Sequence, residues 1–264
     1  MPELPDLARF KRYLDATSLH QPIASTECFD ERFVKDVSRR GLQRHLKGAA
    51  LEHCRRWGKW LFVELSTRGH LVLHFGMSGG LDYAADDGGA PQHTRLLVHF
   101  GNDHRLAIVS IRMIGQASYT EDVAAFAGEH KLGPDALDDA LDAAAFVERL
   151  AGRRGSIKRA LMNQSVIAGI GNVYSDEILF QAGVHPGSKI KRLDEATLRE
   201  IHKVMRRVLK HAADKGGDGL KAPRSWLLGG RSEDTPCPRC GARLATAAIN
   251  GRTAWLCPNC QPKG

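Results

Sequence analysis

Residues 237–260 read CPRCGARLATAAINGRTAWLCPNC, and this stretch decides the fold of the last part of the chain. Its cysteines form two C-x2-C pairs, Cys237 with Cys240 and Cys257 with Cys260, separated by sixteen residues. This spacing is typical of four thiolates arranged tetrahedrally around one Zn²⁺ ion. Since the pattern implies no water or histidine ligand, the sequence predicts one structural zinc ion.

Between the cysteine pairs, Asn250-Gly251 marks a turn flanked by strand-like runs, which predicts a β-hairpin finger. Arg252 follows the turn and is expected to project from the hairpin tip, where it could enter a groove of a partner. On this feature alone, an exposed arginine without a target is equally consistent. A disulfide framework is less consistent with the cysteines, because nothing in the sequence indicates export.

Ahead of the finger, the apolar residues have helical spacing. Leu198, Ile201, Met205 and Val208 form one stripe, and basic residues occupy the other faces. Asp194 is the predicted N-cap of this helix, and Gly216 is the predicted stop.

The first half of the chain is predicted to be rich in β-strands. Residues 59–65 and 70–77 are short apolar runs, and residues 95–111 form two runs around Gly101-Asn102-Asp103, a hairpin pattern. Residues 4–16 instead have the spacing of a helix. Residues 131–142 are predicted to be a linker that runs into the helical part.

The composition, with 42% hydrophobic and 26% charged residues, is that of a globular protein. No apolar run approaches the roughly 18 residues needed to span a bilayer. The N-terminus also lacks a basic region followed by an apolar stretch, so no secretory signal is predicted. The expected location is the cytoplasm, without membrane association.

Charge is distributed unevenly along the chain. Residues 1–150 hold 18 Lys and Arg against 21 Asp and Glu, whereas residues 151–264 hold 20 against 9. The second half therefore carries a net charge of +11, which favours a polyanionic partner such as nucleic acid. A solvated basic surface that aids solubility is the alternative.

The chain begins MPELP. If Met1 is removed, Pro2 becomes the N-terminus and presents a secondary amine beside the carboxylate of Glu3. Chain starts tolerate almost any residue, so the motif alone does not distinguish an ordinary proline from a functional N-terminal amine.

Five motifs in this order resemble the formamidopyrimidine-DNA glycosylase/endonuclease VIII family of base-excision repair enzymes, and the resemblance runs nearly from end to end. They are MPELP, GKWL around Lys59, HFGMSGGL at residues 74–81, SIKRALMNQSVIAGIGNVYSDEILFQAGVHP at residues 156–186, and the four-cysteine finger.

The resemblance implies an α+β multidomain fold. Residues 1–132 would form an N-terminal β-sandwich catalytic domain with flanking helices, and residues 133–230 a helical DNA-binding domain with a helix–two-turns–helix element. Residues 231–264 would form the β-hairpin zinc finger. A monomer is expected, with damaged DNA as its partner.

The resemblance also implies a reaction, that of a bifunctional DNA glycosylase and abasic-site lyase. Pro2 would attack the sugar C1′ and form a Schiff base, which leads to strand cleavage by β,δ-elimination. Glu3 would shuttle protons, and Lys59 would hold a phosphate beside the lesion. A lysine that merely flanks a strand is the alternative for Lys59.

By the same resemblance, Lys158 and Asn172 would contact phosphates around the flipped nucleotide, aided by backbone N–H groups near GIGN. Met77 and Arg112 would fill the gap in the stack, with Arg112 facing the orphaned base. Ile114 takes the place of an aromatic wedge, and an apolar side chain can still wedge between bases. His74 and Arg252 complete the expected DNA contacts.

Two departures leave the substrate base open. SIRMIG at residues 110–115 replaces the family's DPRRFG loop, and residues 216–237 are shorter than the stretch that caps 8-oxoguanine in the oxidised-purine enzymes. The base is therefore 8-oxoguanine, an oxidised pyrimidine or another modified base. A catalytically silent damage-binding protein and a zinc-finger protein of RNA metabolism are hypotheses from other classes.

Overall fold

The computed structural model describes residues 2–216, 222–232 and 235–263, which divide into two compact units. Pro2 and residues 6–130 belong to the first unit, and residues 3–5 belong to the second unit with the chain from residue 131 onward. The predicted domain limits, 1–132, 133–230 and 231–264, stay predictions.

The described α-helices are α1 Leu4–Thr17, α2 Arg39–Leu46, α3 Val123–Glu129, α4 Ala143–Leu150, α5 Ile157–Met162, α6 Asn172–Gln181 and α7 Glu195–Asp214. The described strands are β1 Ile23–Cys28, β2 Leu51–Trp57, β3 Trp60–Leu65, β4 His70–His74, β5 Gly79–Ala85, β6 Thr94–Phe100, β7 His104–Ser110, β8 Gln116–Thr120, β9 Ala245–Ile249 and β10 Arg252–Leu256.

The first unit is built on two four-stranded antiparallel sheets, ordered β1-β6-β7-β5 and β2-β3-β4-β8. Alternate apolar residues of both sheets enter one core, among them Leu61 and Leu73 from one sheet and Val98 and Leu106 from the other. Because period-2 side chains of two sheets share this core, the unit is a β-sandwich.

The strands and the first helix predicted for this unit are confirmed. β6 and β7 form the predicted hairpin, and Asp103 in its turn has a φ of 57°. Helix α1 places Leu7, Phe10 and Leu14 in the sandwich core, which explains their spacing of three and four residues.

The second unit contains the helical region. The Asp194 carboxylate accepts the Thr197 N–H at 2.8 Å and caps α7, as predicted. The predicted stop is also confirmed, since the helix ends at Asp214 and Gly216 has a φ of 87°. The predicted apolar stripe of α7 is buried, and the helix packs against α4 and α6.

Strands β9 and β10 pair as the predicted finger hairpin, with Arg252 opposite Ile249. Asn250 and Gly251 both have positive φ, 51° and 73°, as a two-residue primed turn requires. Over the described ranges, no helix combines the length and apolarity needed to cross a membrane.

Candidate active site and nucleic-acid interface

Glu3 is bound at the N-terminus of α6, within the second unit. One carboxylate oxygen accepts the Gly171 N–H at 2.6 Å and the Tyr174 N–H at 3.2 Å, and the other accepts the Val173 N–H at 2.8 Å. The side chain is only 1% exposed. The first N–H groups of a helix lack intrahelical partners, and the helix dipole favours negative charge there. Glu3 is therefore fixed in position and orientation.

Glycine is required at position 171 for this arrangement. A Cβ atom there would lie 2.4 Å from both Cδ and Oε1 of Glu3. The N–H groups of Gly171, Val173 and Tyr174 donate to Glu3. The predicted phosphate binding by backbone N–H groups near GIGN stays a prediction. The glycine-rich turn thus positions a residue of the chain start.

Lys158 lies on α5 and is 0% exposed. Its ammonium donates to the Asn172 carbonyl at 3.1 Å, to Ser175 Oγ at 2.9 Å and to Asp176 Oδ1 at 2.5 Å. The three donors of an ammonium are therefore used inside the protein. These bonds tie α5 to α6. The predicted phosphate contact of Lys158 stays a prediction.

Asp176 connects α6 to the finger, a role that the sequence analysis missed. Its Oδ2 accepts the Trp255 N–H of β10 at 3.2 Å and Arg231 Nη2 at 2.7 Å, while Oδ1 binds Lys158. Helix α6 is buried almost all round, so an aspartate in it is exceptional. That aspartate within an apolar run was the available signal for a buried polar network.

Asn172 opens α6 and lies against the finger strand. Its side-chain N–H donates to the Thr253 carbonyl at 3.1 Å, and Oδ1 is buried without a hydrogen-bond partner in the described structure. Ser156 Oγ, which caps α5, also donates to Asn250 Oδ1 at 3.1 Å in the hairpin turn. Asn172 is thus brought close to β10, where Arg252 is exposed.

The four finger cysteines are positioned for one metal ion. Their Sγ atoms all lie within 4.8 Å of one another, with 3.8 Å between Cys237 and Cys260 and 3.5 Å between Cys240 and Cys257. A tetrahedral zinc with Zn–S bonds of about 2.3 Å requires sulfur separations of roughly 3.8 Å. The Arg239 N–H points at Cys237 Sγ, as donors to metal-bound thiolates do. The cysteines therefore fit the predicted structural zinc.

In the first unit, Pro2 is half-buried, and Lys59 occupies the two-residue turn between β2 and β3. Lys59 is 8% exposed and therefore buried. The next residue, Trp60, pairs with His74 of β4 across the sheet, and their rings are 4.7 Å apart. This register brings Lys59 and His74, both predicted site residues, into one region of the sandwich.

Met77, Arg112 and Ile114 are brought together in the first unit as well. Arg112 Nη1 lies 3.9 Å from Met77 Sδ, and the Arg112 N–H donates to Ser78 Oγ at 3.2 Å. A Cβ on Gly76 would lie 2.6 Å from the carbonyl carbon of Ile114, so this loop packs closely on the turn before Met77. Ile111, which the sequence analysis did not single out, is 56% exposed in the same loop.

Comparison with known proteins assigns the family. Family models match three regions: the formamidopyrimidine-DNA glycosylase N-terminal domain over residues 1–117, its H2TH domain over residues 132–224, and the zinc finger found in FPG and IleRS over residues 235–263. The chain is 32% identical over 282 aligned positions to the formamidopyrimidine-DNA glycosylase of Thermosynechococcus vestitus, covering 99% of this chain and 98% of that one.

The chain belongs to the formamidopyrimidine-DNA glycosylase family. Two solved structures of the Lactococcus lactis glycosylase are similar over 99% of this chain and 100% of theirs. One is a complex with DNA containing an abasic site, at 28% identity and a TM-score of 0.89. The other contains N7-benzyl-Fapy-dG DNA, at 29% identity and a TM-score of 0.90.

Membership confirms the expected fold class, with its β-sandwich, helical region and zinc-finger hairpin. It also makes the protein a DNA glycosylase of base-excision repair that holds one structural zinc ion. The shortened stretch of residues 216–237 lies partly outside the described residues, which omit 217–221 and 233–234.

Proposed function

We propose that this glycosylase is bifunctional: it extrudes and excises a damaged, oxidised base and then cleaves the strand through a Schiff base on Pro2. One observation carries the proposal. Glu3, the residue after Pro2, is buried and bound by three N–H groups at the start of α6, in a chain that belongs to a DNA glycosylase family.

The nucleophile is the secondary amine that Pro2 presents once Met1 is removed. An α-amino group titrates near pH ~8, well below lysine, so a useful fraction is neutral at pH 7. Its lone pair attacks the sugar C1′, the bond from C1′ to the base breaks, and the base leaves with the bonding electrons and takes up a proton. Opening of the sugar ring then gives an iminium between Pro2 and C1′.

The iminium acidifies the proton on C2′, since the electrons of that C–H bond can be delocalised onto nitrogen. Loss of this proton expels the 3′ phosphate by β-elimination, and a second proton loss expels the 5′ phosphate by δ-elimination. Glu3 transfers the proton that opens the sugar ring, and its binding to α6 keeps the carboxylate in place. Lys59 holds a phosphate beside the lesion and adds positive charge.

Damaged DNA is the proposed partner of a monomeric enzyme. The relatives from Lactococcus lactis were solved with damaged or abasic DNA, and the second half of this chain carries a net charge of +11. In the first unit, Met77, Arg112 and Ile114 fill the gap in the base stack, and His74 contacts the DNA. In the second unit, Asn172 and Arg252 contact the backbone.

Borohydride trapping tests the proposal. The enzyme is incubated with duplexes that contain 8-oxoguanine, an oxidised pyrimidine or an abasic site, and a covalent adduct with DNA reports the iminium. Pro2→Gly is expected to lose most trapping and base release on the lesion duplexes, because it replaces the secondary amine. Its affinity for a duplex with an uncleavable tetrahydrofuran site should stay near that of the wild type, which controls for folding.

Undiminished trapping by Pro2→Gly would remove the assignment of the nucleophile. A wild-type protein that binds the tetrahydrofuran duplex but never traps would instead be a silent damage-binding protein. The rates of base release from the 8-oxoguanine and oxidised-pyrimidine duplexes also show which of these two bases is the better substrate. The SIRMIG loop favours a base other than 8-oxoguanine as a second candidate, since isoleucine replaces the aromatic wedge and methionine replaces an arginine.

A further inference from the structure

Ile111 and Ile114 expose large apolar surfaces within one short loop. Across the described residues, three large hydrophobic side chains are exposed, namely Phe29 at 52%, Ile111 at 56% and Ile114 at 51%. A single exposed apolar residue is ordinary on a protein surface. Two of the three, however, flank Arg112 and Met113 in a loop that joins two strands of the sandwich, and this concentration points to a contact.

The loop cannot easily bury these side chains by relaxing. Met113 has a φ of 54° and packs its side chain against the sandwich core, which anchors the middle of the loop. The Arg112 N–H is bound to Ser78 Oγ at 3.2 Å. At the end of the loop, a Cβ on Gly115 would lie 2.7 Å from the His74 carbonyl oxygen, so the backbone there is closely packed. Both isoleucines are held outward.

The chemistry of this surface favours unstacked DNA bases as its ligand. A guanidinium between two apolar side chains suits unstacked bases, because the apolar groups enter the space between base steps while arginine donates to base edges. Arg112 already contacts Met77, so the apolar surface continues from Met77 across the loop. A duplex from which one nucleotide has been extruded offers both unstacked faces and free base edges.

We propose that Ile111 is a second apolar contact of this loop with the DNA stack, on the other side of Arg112 from Ile114. The inference rests on the proposed function, since it deepens the account of how this enzyme holds an opened duplex. Ile111 is then a specificity-determining residue: it strengthens binding to a duplex with a missing or extruded base and contributes little to an intact duplex.

Equilibrium binding of variants tests this role. Ile111→Ala is compared with the wild type on two duplexes of equal sequence, one intact and one with a tetrahydrofuran site, at a single salt concentration. Full burial of an isoleucine side chain contributes roughly tenfold or more to affinity. We expect Ile111→Ala to lose this contribution on the tetrahydrofuran duplex alone. Ile111→Leu should retain most of the affinity because it keeps the apolar surface.

Phe29→Ala is the matched control, since Phe29 is exposed to the same degree in the same unit. It should bind both duplexes like the wild type. Should Ile111→Ala behave as Phe29→Ala does, or weaken both duplexes equally, the proposal is wrong. The assay involves no chemistry, so its outcome is separate from the trapping experiment on Pro2. Unfolding temperatures of the variants exclude a folding defect as the cause.

Discussion

His74 is a neutral hydrogen-bonding group in a positively charged region of the sandwich. Burial, together with the charges of Lys59 and His130, lowers its pKa to about 4. Nδ1 accepts the Gly76 N–H at 3.2 Å, which leaves the proton of the neutral ring on Nε2. At pH 7 His74 can therefore donate a hydrogen bond to a phosphate without adding a charge.

This pKa predicts a pH dependence of stability. His74 has an ordinary pKa near 6.5 when the chain is unfolded and about 4 when it is folded. Between these values the unfolded state binds more protons, so the free energy of unfolding falls as the pH is lowered. The loss attributable to His74 is about 2 kcal/mol between pH 7 and pH 5.

Urea unfolding of the wild type and of His74→Asn at both pH values measures this loss. Asparagine keeps an acceptor for the Gly76 N–H but does not titrate, and all other groups are common to the two proteins. The difference in unfolding free energy between them should therefore change with pH in the direction stated. A difference that is constant from pH 7 to pH 5 would contradict the lowered pKa.

Among the elements, α6 contacts the chain start, the zinc finger and α5. Its N-terminus binds Glu3, its first residue binds the finger at Thr253, and Asp176 in its interior binds β10 and Lys158. A buried ion pair such as that of Asp176 and Lys158 stabilises the fold little by itself, but removing one partner leaves an uncompensated buried charge. The helix therefore sets the positions of the Glu3 carboxylate and the finger hairpin together.

Gly171→Ala tests the coupling of α6 to Glu3. The new Cβ would lie 2.4 Å from Oε1 of Glu3, so either the carboxylate or the helix start must shift. Since a displacement of about 1 Å can cost roughly 100-fold in rate, base excision should fall by that order. Single-turnover excision measures it, and tetrahydrofuran-duplex affinity should fall much less.

Gly128→Ala is the control, because a Cβ at that glycine meets nothing within 4 Å. It should excise at the wild-type rate and keep the wild-type unfolding temperature. If Gly171→Ala also excised normally, the fixed position of Glu3 would not matter to the reaction. If it lost tetrahydrofuran binding in the same proportion as activity, the effect would be on folding of the site and not on the carboxylate.

These contacts explain what the sequence could and could not predict. The β-hairpins, the α7 stripe and the cysteine spacing follow from periods of two and 3.6 residues and from turn chemistry, which are local in sequence. The bonds from Glu3 to Gly171 and from Asp176 to Trp255 join residues 168 and 79 positions apart, and no local pattern encodes them. The buried partners of Lys158 could not be predicted for the same reason, since another helix supplies them.

At the scale of the whole molecule, positive charge and the zinc finger lie in the same half of the chain. The buried residues of the finger pack into a hydrophobic cluster that it shares with the helical region. In this cluster Cys237, Leu244 and Cys257 lie with Phe180 of α6 and Leu227. In the first unit, the sandwich core is formed by a separate set of residues. Loss of zinc should therefore disturb the second unit and leave the sandwich intact.

Chelation of zinc checks this with hydrogen exchange. Without the metal the bonds that hold the four sulfur atoms together are lost, so residues 235–263 should lose protection, and α6 should lose part of its protection through the shared cluster. Strands β2, β3 and β4 should exchange as in the zinc-bound protein. Loss of protection throughout the sandwich would show that the two units do not respond separately.

The same treatment tests the finger's part in DNA binding, through Arg252. In the zinc-bound enzyme, Arg252→Ala should weaken tetrahydrofuran-duplex binding and reduce the slope of log affinity against log salt by about 1, as expected for one lost phosphate contact. In the chelated enzyme, wild type and Arg252→Ala should bind equally, because the hairpin that presents Arg252 is no longer folded. A variant that loses affinity equally in both states would place Arg252's effect outside the folded finger.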